Sequence, residues 1–273
     1  MPNTFADKLE VAARSIAGLK GAVVAYSGGV DSTLLLAVAL RALGPTRVVA
    51  AMGVSPSLAP TEHIEGLRLA RSMGATVIEV PTHEMDDPQY SANPPNRCYH
   101  CKRHLFTTLQ GVATEYGFEA VLEGSNKDDD SDYRPGRRSI SELGIRSPLL
   151  EANMSKADVR AALKSLGLPV WSKPAQACLA SRIPYGQALT PERLGRIGRA
   201  ESRLRALGFQ QLRVRDWEEL AVVEVAPEEL EHLFARETRL AVVAALKEEG
   251  YRRVTLDPEG YRMGSLNEAL NLV

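Results

Sequence analysis

Three groups of residues in this sequence have types and spacings that can do chemistry. The first is the hexapeptide Ser27, Gly28, Gly29, Val30, Asp31 and Ser32, "SGGVDS", which breaks one apolar run and leads straight into another, "TLLLAVAL". Two adjacent glycines let a ligand approach the backbone, and the amides from Gly28 to Ser32 can converge on an anion at a helix start, where the dipole favours negative charge. The Ser27 and Ser32 hydroxyls add donors, so a phosphate or pyrophosphate is the economical ligand. The common nucleotide loop G-x-x-x-x-G-K-[ST] is excluded, because the lysine that reaches the terminal phosphates is missing. Asp31 beside an anion calls for Mg²⁺ or another cation between them, or for hydrogen bonds within the loop. The plain alternative is a glycine turn with Asp31 as helix cap.

The second group is Cys98 and Cys101 in "NRCYHCKRHLF", with Cys178 in "ACLASRIPYG", the three cysteines of the chain. An odd number of cysteines in a chain with no export signal is no disulfide framework. On a helix Cys98 and Cys101 share a face, so both sulfurs can reach one metal. Zinc needs Cys178, His100 or His104 to complete its set, whereas three cysteines suit a cubane cluster equally well and leave one iron open. A small buried hydrophobe is the bland reading of Cys178 taken alone. The third group spans Arg182 to Arg215, with eight arginines, no lysine and two acids, Glu192 and Glu201, a local charge of +6. Arginine in excess of lysine points to planar recognition of phosphate or carboxylate. Arg213 and Arg215 in "LRVRD" fall on one face of a strand, suited to bidentate contacts. A solvated helix face accounts for about half of the eight.

Alternating elements must position these groups. "AVVAY" (Ala22 to Tyr26), "RVVAAM" (Arg47 to Met52), "ATVIEV" (Ala75 to Val80) and "AVLEG" (Ala120 to Gly124) are near-continuous apolar strands, as a parallel sheet covered on both faces requires. Helices over Asp31 to Leu43, Thr61 to Met73 and Arg97 to Tyr116 lie between them and end at glycines. This is a doubly wound α/β pattern, and such sheets bind ligands beyond the carboxyl ends of their strands, where "SGGVDS" lies. "SKAD" (Ser155 to Asp158) reads as the capping box of a helix through Leu166, followed by an aperiodic, proline-bearing stretch to Cys178 that is expected to lie over the site. A smaller α+β domain follows: a helix from Thr190 with Pro191 first, strands at "LRVRD" and "LAVVEV", helices from Pro227 and near Arg239, and a strand at "RRVTLD". The expected boundaries are 1–170, 171–189 for the loop carrying Cys178, and 190–273.

At 273 residues, 44 % hydrophobic, the chain can bury a sizeable core. Charged residues among the first twenty, and no apolar run near ~18 residues, argue against a signal peptide or membrane span and for a cytoplasmic location. A net charge of −1 argues against broad nucleic-acid binding.

"SGGVDS" resembles the PP-loop, S-G-G-x-D-S, of the ATP pyrophosphatases, a superfamily that includes NAD synthetase, asparagine synthetase, GMP synthetase and tRNA thiolases. The resemblance implies that the loop holds the pyrophosphate of ATP while a substrate oxygen attacks the α-phosphorus, giving an adenylate. Together with "CYHCK", "EGSNKDD" (Glu123 to Asp129), "ACLASRIPYG" and "EGYRMGSLNEAL" (Glu259 to Leu270), the chain resembles, nearly end to end, the LarE family of ATP-dependent pyridinium-3,5-biscarboxylate mononucleotide sulfurtransferases, which serve nickel-pincer cofactor synthesis. That implies adenylation of a substrate carboxylate with ATP and Mg²⁺, then displacement of AMP by sulfur to leave a thiocarboxylate. In one type the cysteine matching Cys178 gives up its own sulfur and ends as dehydroalanine. This chain departs from that type and resembles the three-cysteine one, in which a [4Fe–4S] cluster, here on Cys98, Cys101 and Cys178, carries an extra sulfide.

By the same resemblance the loop from Ser27 to Ser32 and Gly124 hold ATP, with Arg182 near the nucleotide or the reacting carboxylate. Arg213 and Arg215 take the substrate phosphate, and Glu201 is the family-matching acid. Apart from the resemblance, Asp128 and Asp129 follow the fourth strand, where a loop carboxylate can help hold Mg²⁺ or a run of aspartates is simply solvated. The partners implied are a small-molecule nucleotide substrate, other enzymes of the same synthesis only transiently, and further copies of the chain in a homo-oligomer up to a hexamer, with no nucleic acid and no membrane. A tRNA thiolase is the competing reading, but Glu218, Glu219, Glu228, Glu229 and Glu231 follow its only basic stretch closely. An ammonia-using synthetase leaves the cysteines unexplained. A zinc-stabilised nucleotide-binding regulator would release no pyrophosphate.

Overall fold

The four apolar runs pair into one parallel sheet: β1 (Ala22–Ala25), β2 (Val48–Val54), β3 (Thr76–Pro81) and β4 (Ala120–Leu122), in the order β3-β2-β1-β4. Val23 of β1 sits in register with Val49 on one side and Val121 on the other. The computed structural model describes residues 4–131, 135–174 and 176–268. These fall into two compact units, the first comprising Met1–Ser55, Thr61–Asp87 and Asn96–Gln176.

Around the sheet lie α1 (Phe5–Ile16), α2 (Val30–Leu43), α3 (Pro60–Ser72), α4 (Arg97–Glu115) and α5 (Lys156–Ser165). Strands buried on both faces carry no polar alternation, which is why Val23, Val24, Val48 and Ala50 are all inaccessible to solvent or nearly so. Phe106 and Leu109 of α4 pack with Val23, Ala51 and Val121 in one apolar cluster. Each such fully buried side chain contributes roughly 1.5–3 kcal/mol by leaving water. The chain starts at β1, winds outward through β2 and β3, and crosses back to β4. That reversal makes the carboxyl ends of β1 and β4 the switch point where an open sheet offers a crevice.

The second unit comprises Pro56–Pro60, Pro88–Pro95 and the chain from Ala177 onward. Thr190 caps α6 (Pro191–Ala206), with proline first, where its missing N–H costs nothing. A mixed sheet follows: β5 (Leu212–Trp217) runs antiparallel to β6 (Leu220–Val225), and β7 (Arg253–Leu256) lies parallel on its far side. Between β6 and β7 lies α7 (Arg236–Glu248); the segment from Pro227 is a 3-10 turn and a five-residue helix rather than one longer helix. Leu204, Phe209, Leu212, Val223, Leu246 and Tyr251 make this unit's own core. The architecture is the expected one, a parallel α/β sheet of the PP-loop kind with a smaller α+β unit. Among the described residues no helix is long and apolar enough to cross a membrane. Ala269 and Leu270, the end of the C-terminal motif, lie outside the described residues.

Candidate functional site

Beyond β1 the backbone turns at Gly28, whose φ of +72° is a conformation other residues rarely adopt. A Cβ there would also lie 2.9 Å from Gly66 Cα on α3. Ser27 and Ser32 close the loop, their hydroxyls 3.0 Å apart and the Ser27 amide 3.2 Å from Ser32 Oγ. Gly29 is the helix N-cap without a side-chain cap, and the first bond of α2 runs from the Thr33 amide to the Gly29 carbonyl at 3.0 Å. The amides of Val30, Asp31 and Ser32 are thus left without a helical acceptor, at the positive end of the helix, as an anion cradle requires. A cavity of about 490 Å³ opens beside Gly28, lined also by Arg68, Leu69, Val170 and Lys173. Lys173 is held there by Glu62 at 2.8 Å and Glu65 at 3.1 Å.

Asp31 does not cap its helix. Its Oδ1 accepts from Asn126 Nδ2 at 3.1 Å, and its Oδ2 meets the Lys156 ammonium. The loop after β4 makes this possible, since Gly124 lies so close to α2 that a Cβ would be 3.0 Å from the Ser32 amide nitrogen and 3.2 Å from Asp31 Cβ. Glu123 ties down the same loop through the Ser125 amide and hydroxyl. Asp129 accepts from the Asn126 amide at 3.0 Å, and Asp128 from the Lys156 amide at 2.8 Å. The loop therefore presents a fixed carboxylate that already has a cation on it. Its hard oxygen donor fits Mg²⁺.

Cys98 and Cys101 lie one turn apart near the start of α4, Cys98 exposed and Cys101 half-buried. Two thiols so placed suit a thiophilic metal such as zinc or iron. His104 Nε2 and His100 Nδ1, the other candidates for that set, approach Asp87 Oδ2 at 3.1 and 3.8 Å. Among the described residues no three His, Cys, Asp or Glu side chains are gathered as a metal site.

Cys178 belongs to the second unit, exposed at the head of a 3-10 turn, Leu179–Arg182. Its carbonyl accepts from the Ser181 hydroxyl at 2.8 Å and from Arg182 Nη1 at 3.2 Å, and the same Nη1 reaches the Ala177 carbonyl at 2.8 Å. The rest of the Arg182 guanidinium meets Glu201, which also accepts from the Val214 amide at 3.1 Å. Burial alone would raise the Glu201 carboxyl's pKa, but the charge and hydrogen bonds of Arg182, helped by Arg213 and Arg205, hold it below the usual carboxylate range.

Arg213 and Arg215 project from β5 as spaced, but their environments differ. Arg215 is clamped by Glu224 at 2.7 and 2.9 Å and donates to the Ser181 carbonyl and the Ser265 hydroxyl. Arg213 lies over the Tyr261 ring at 4.8 Å and donates to the Leu212 carbonyl. Burial first, and then the like charge of Arg182, push its pKa down to about 10. The other arginines of the stretch serve structure. Arg193 and Arg196 grip the fully buried Asp216, and Arg199 and Arg203 meet Glu249.

Sequence reasoning missed Asn126, Lys156 and Glu224. Asn126 stood in a quoted motif, and a lysine in the first turn of a capped helix, where the dipole disfavours it, was the available signal for Lys156.

A sheet reversal between β1 and β4, with an amide-lined glycine loop and a fixed aspartate at that point, defines an α/β protein of the PP-loop class. No protein-family model matches the chain. Over 264 residues it is 47 % identical to an uncharacterized protein of Synechocystis sp., covering 96 % of this chain and 98 % of that one. It is 37 % identical over 267 residues to the pyridinium-3,5-bisthiocarboxylic acid mononucleotide synthase of Lactiplantibacillus plantarum, covering 98 % and 96 %. An uncharacterized protein of Methanocaldococcus jannaschii is 28 % identical over 244 residues, 89 % and 91 % of the two chains. With such identity to the synthase across nearly the whole of both sequences, the chain belongs to the pyridinium-3,5-bisthiocarboxylic acid mononucleotide synthase family, LarE.

Proposed function

We propose that the protein is an ATP-dependent sulfurtransferase that converts a carboxylate of pyridinium-3,5-biscarboxylic acid mononucleotide into a thiocarboxylate. One observation carries the nucleotide half of this reading: beyond β1 the backbone turns at Gly28 so that unaccepted amides and a cation-bearing Asp31 face the same turn. In the first step a substrate carboxylate oxygen attacks the α-phosphorus of ATP and pyrophosphate leaves. The amides of Val30, Asp31 and Ser32 are placed to hold that leaving group, and Asp31 would hold a Mg²⁺, which would offset the charge on it. In the second step sulfur attacks the acyl carbon and AMP departs.

Arg213, two residues from Arg215 on β5, is suited to a substrate phosphate or carboxylate, and Arg215 is suited to share that anion with Glu224 as its orienting partner. Arg182 acts through the main chain of the loop that bears Cys178 rather than as an exposed ligand, since it is 1 % exposed. Glu201 fixes Arg182. Cys98 and Cys101, with Cys178, would be the thiolates that hold a [4Fe–4S] cluster, and such a cluster would supply the sulfide to be transferred. That assignment rests on the departure from the single-cysteine pattern and on the Cys98–Cys101 spacing. The near-neutral pairing of the Arg-rich stretch with Asp216, Glu224 and Glu249 disfavours a tRNA substrate.

Two assays test the reading. Pyrophosphate should form from ATP only when the pyridinium dicarboxylate mononucleotide is present, and release without it, or none with it, would contradict the adenylation step. Protein reconstituted without oxygen should take up about four irons per chain. Tightly bound zinc with no iron uptake would remove the cluster.

A further inference from the structure

Lys156 opens helix α5 directly after its cap, Ser155, and its ammonium rests on Asp31 Oδ2. This is an odd place for a lysine. The first turn of a helix disfavours a cation, and Asp31 itself stands in the first turn of α2, so Nζ lies at the positive ends of two helices. Packing does not demand it either, because the Lys156 side chain is 34 % exposed and can be hydrated in many other directions. Its main chain is secured separately. The amide donates to Asp128 at 2.8 Å, and the Ser155–Asp158 capping box, braced by Lys8 at 2.7 Å, fixes the turn. The side chain is therefore free to leave without loosening the fold, while Asn126 keeps Asp31 in place through Oδ1.

We propose that Lys156 is the resident counter-ion of the loop: its ammonium neutralises Asp31 while the loop is empty, and the metal ion arriving with the nucleotide takes the same carboxylate oxygen and displaces it. Two cations cannot share that oxygen without strong repulsion, so the exchange is competitive. The ammonium keeps the anion cradle from being opposed by a bare carboxylate before the metal is present. This rests on reading "SGGVDS" as a nucleotide site. Lys156 is thus a positioning residue, and it leaves a signature in metal dependence that a structural prop would not.

Calorimetric titration of ATP into wild type, Lys156→Met and Asn126→Ala, each with EDTA and with saturating Mg²⁺, tests the exchange, with circular dichroism to check folding. Without metal, Lys156→Met should bind ATP about tenfold more weakly, because Asp31 then repels the phosphates unopposed. With saturating Mg²⁺ the deficit should shrink to about twofold or less, and half-maximal enhancement of ATP binding should need less Mg²⁺ than in wild type, since no ammonium competes. Asn126→Ala should be impaired in both conditions. An equal loss for Lys156→Met with and without Mg²⁺ would make it a phosphate ligand or a prop and overturn the exchange, as would no loss in either. Failure of wild type to bind ATP in both conditions would instead overturn the nucleotide reading itself.

Discussion

The Arg182 guanidinium and the Glu201 carboxylate meet end to end, at 2.8 and 3.0 Å, with both side chains 1 % exposed. The other arm of Arg182 holds the carbonyls of Ala177 and Cys178. A residue on helix α6 therefore sets the backbone from which Cys178 projects, without touching the cysteine.

Replacing Glu201 with Gln should cost about 3–5 kcal/mol, because it leaves the Arg182 cation buried without its counter-charge. Urea unfolding at neutral pH measures this. Site-resolved alkylation should also show Cys178 reacting at a changed rate while Cys98 does not. A variant within experimental error of wild type on both counts would show that the pair does not govern the loop.

The same pair predicts acid sensitivity. The folded Glu201 pKa lies below the ordinary 4.5, so its contribution is fully present above that value and is lost as pH falls through the lower folded value. The stability gap between wild type and Glu201→Gln should be widest near neutrality and close in strong acid. A gap that widened as pH fell would reverse the sign.

Arg213→Met should separate stability from function. Burial and the like charge of Arg182 oppose the cation while Glu201 and the Tyr261 ring favour it, so removing it should change resistance to urea little. Half-saturating substrate should nevertheless rise about tenfold or more, as loss of a charge-assisted contact demands. Unfolding with unchanged substrate dependence would assign Arg213 to the core.

In the loop, Asp31→Ala should abolish pyrophosphate release while the apolar strands keep the fold. Gly28→Ala should do so by geometry, being strained at φ +72° and pressed against Gly66 Cα at 2.9 Å. A folded Asp31→Ala protein with undiminished release would remove the aspartate from the site.

Much of the fold was legible because its signals are local. Strands buried on both faces read as apolar runs, and the Thr190 and Ser155 caps stood where Thr190–Pro191 and "SKAD" put them, with ends shifted by only a residue or two. Helix α1 was not legible because its charges break up the apolar pattern, although Leu9, Ala12 and Ile16 bury one face. The "SGGVDS" turn was readable from its glycines. What the arginines do was not, because their partners lie elsewhere in the chain: Glu249 on the segment after α7, Glu224 across the β5–β6 pair, and Asp216 at the end of β5. Asn126 and Lys156 were hidden likewise, reaching Asp31 from 95 and 125 residues away.

The most direct measurement is the mass of the substrate after anaerobic incubation of the reconstituted protein with ATP, Mg²⁺, sulfide and pyridinium-3,5-biscarboxylic acid mononucleotide, with pyrophosphate counted alongside. One oxygen of a carboxylate should be replaced by sulfur for each pyrophosphate released, more than once per chain, and the Cys178 peptide should keep its mass. Substrate of unchanged mass would contradict the sulfurtransferase reading. A Cys178 peptide lighter by one H₂S after a single turnover would make the cysteine itself the sulfur donor.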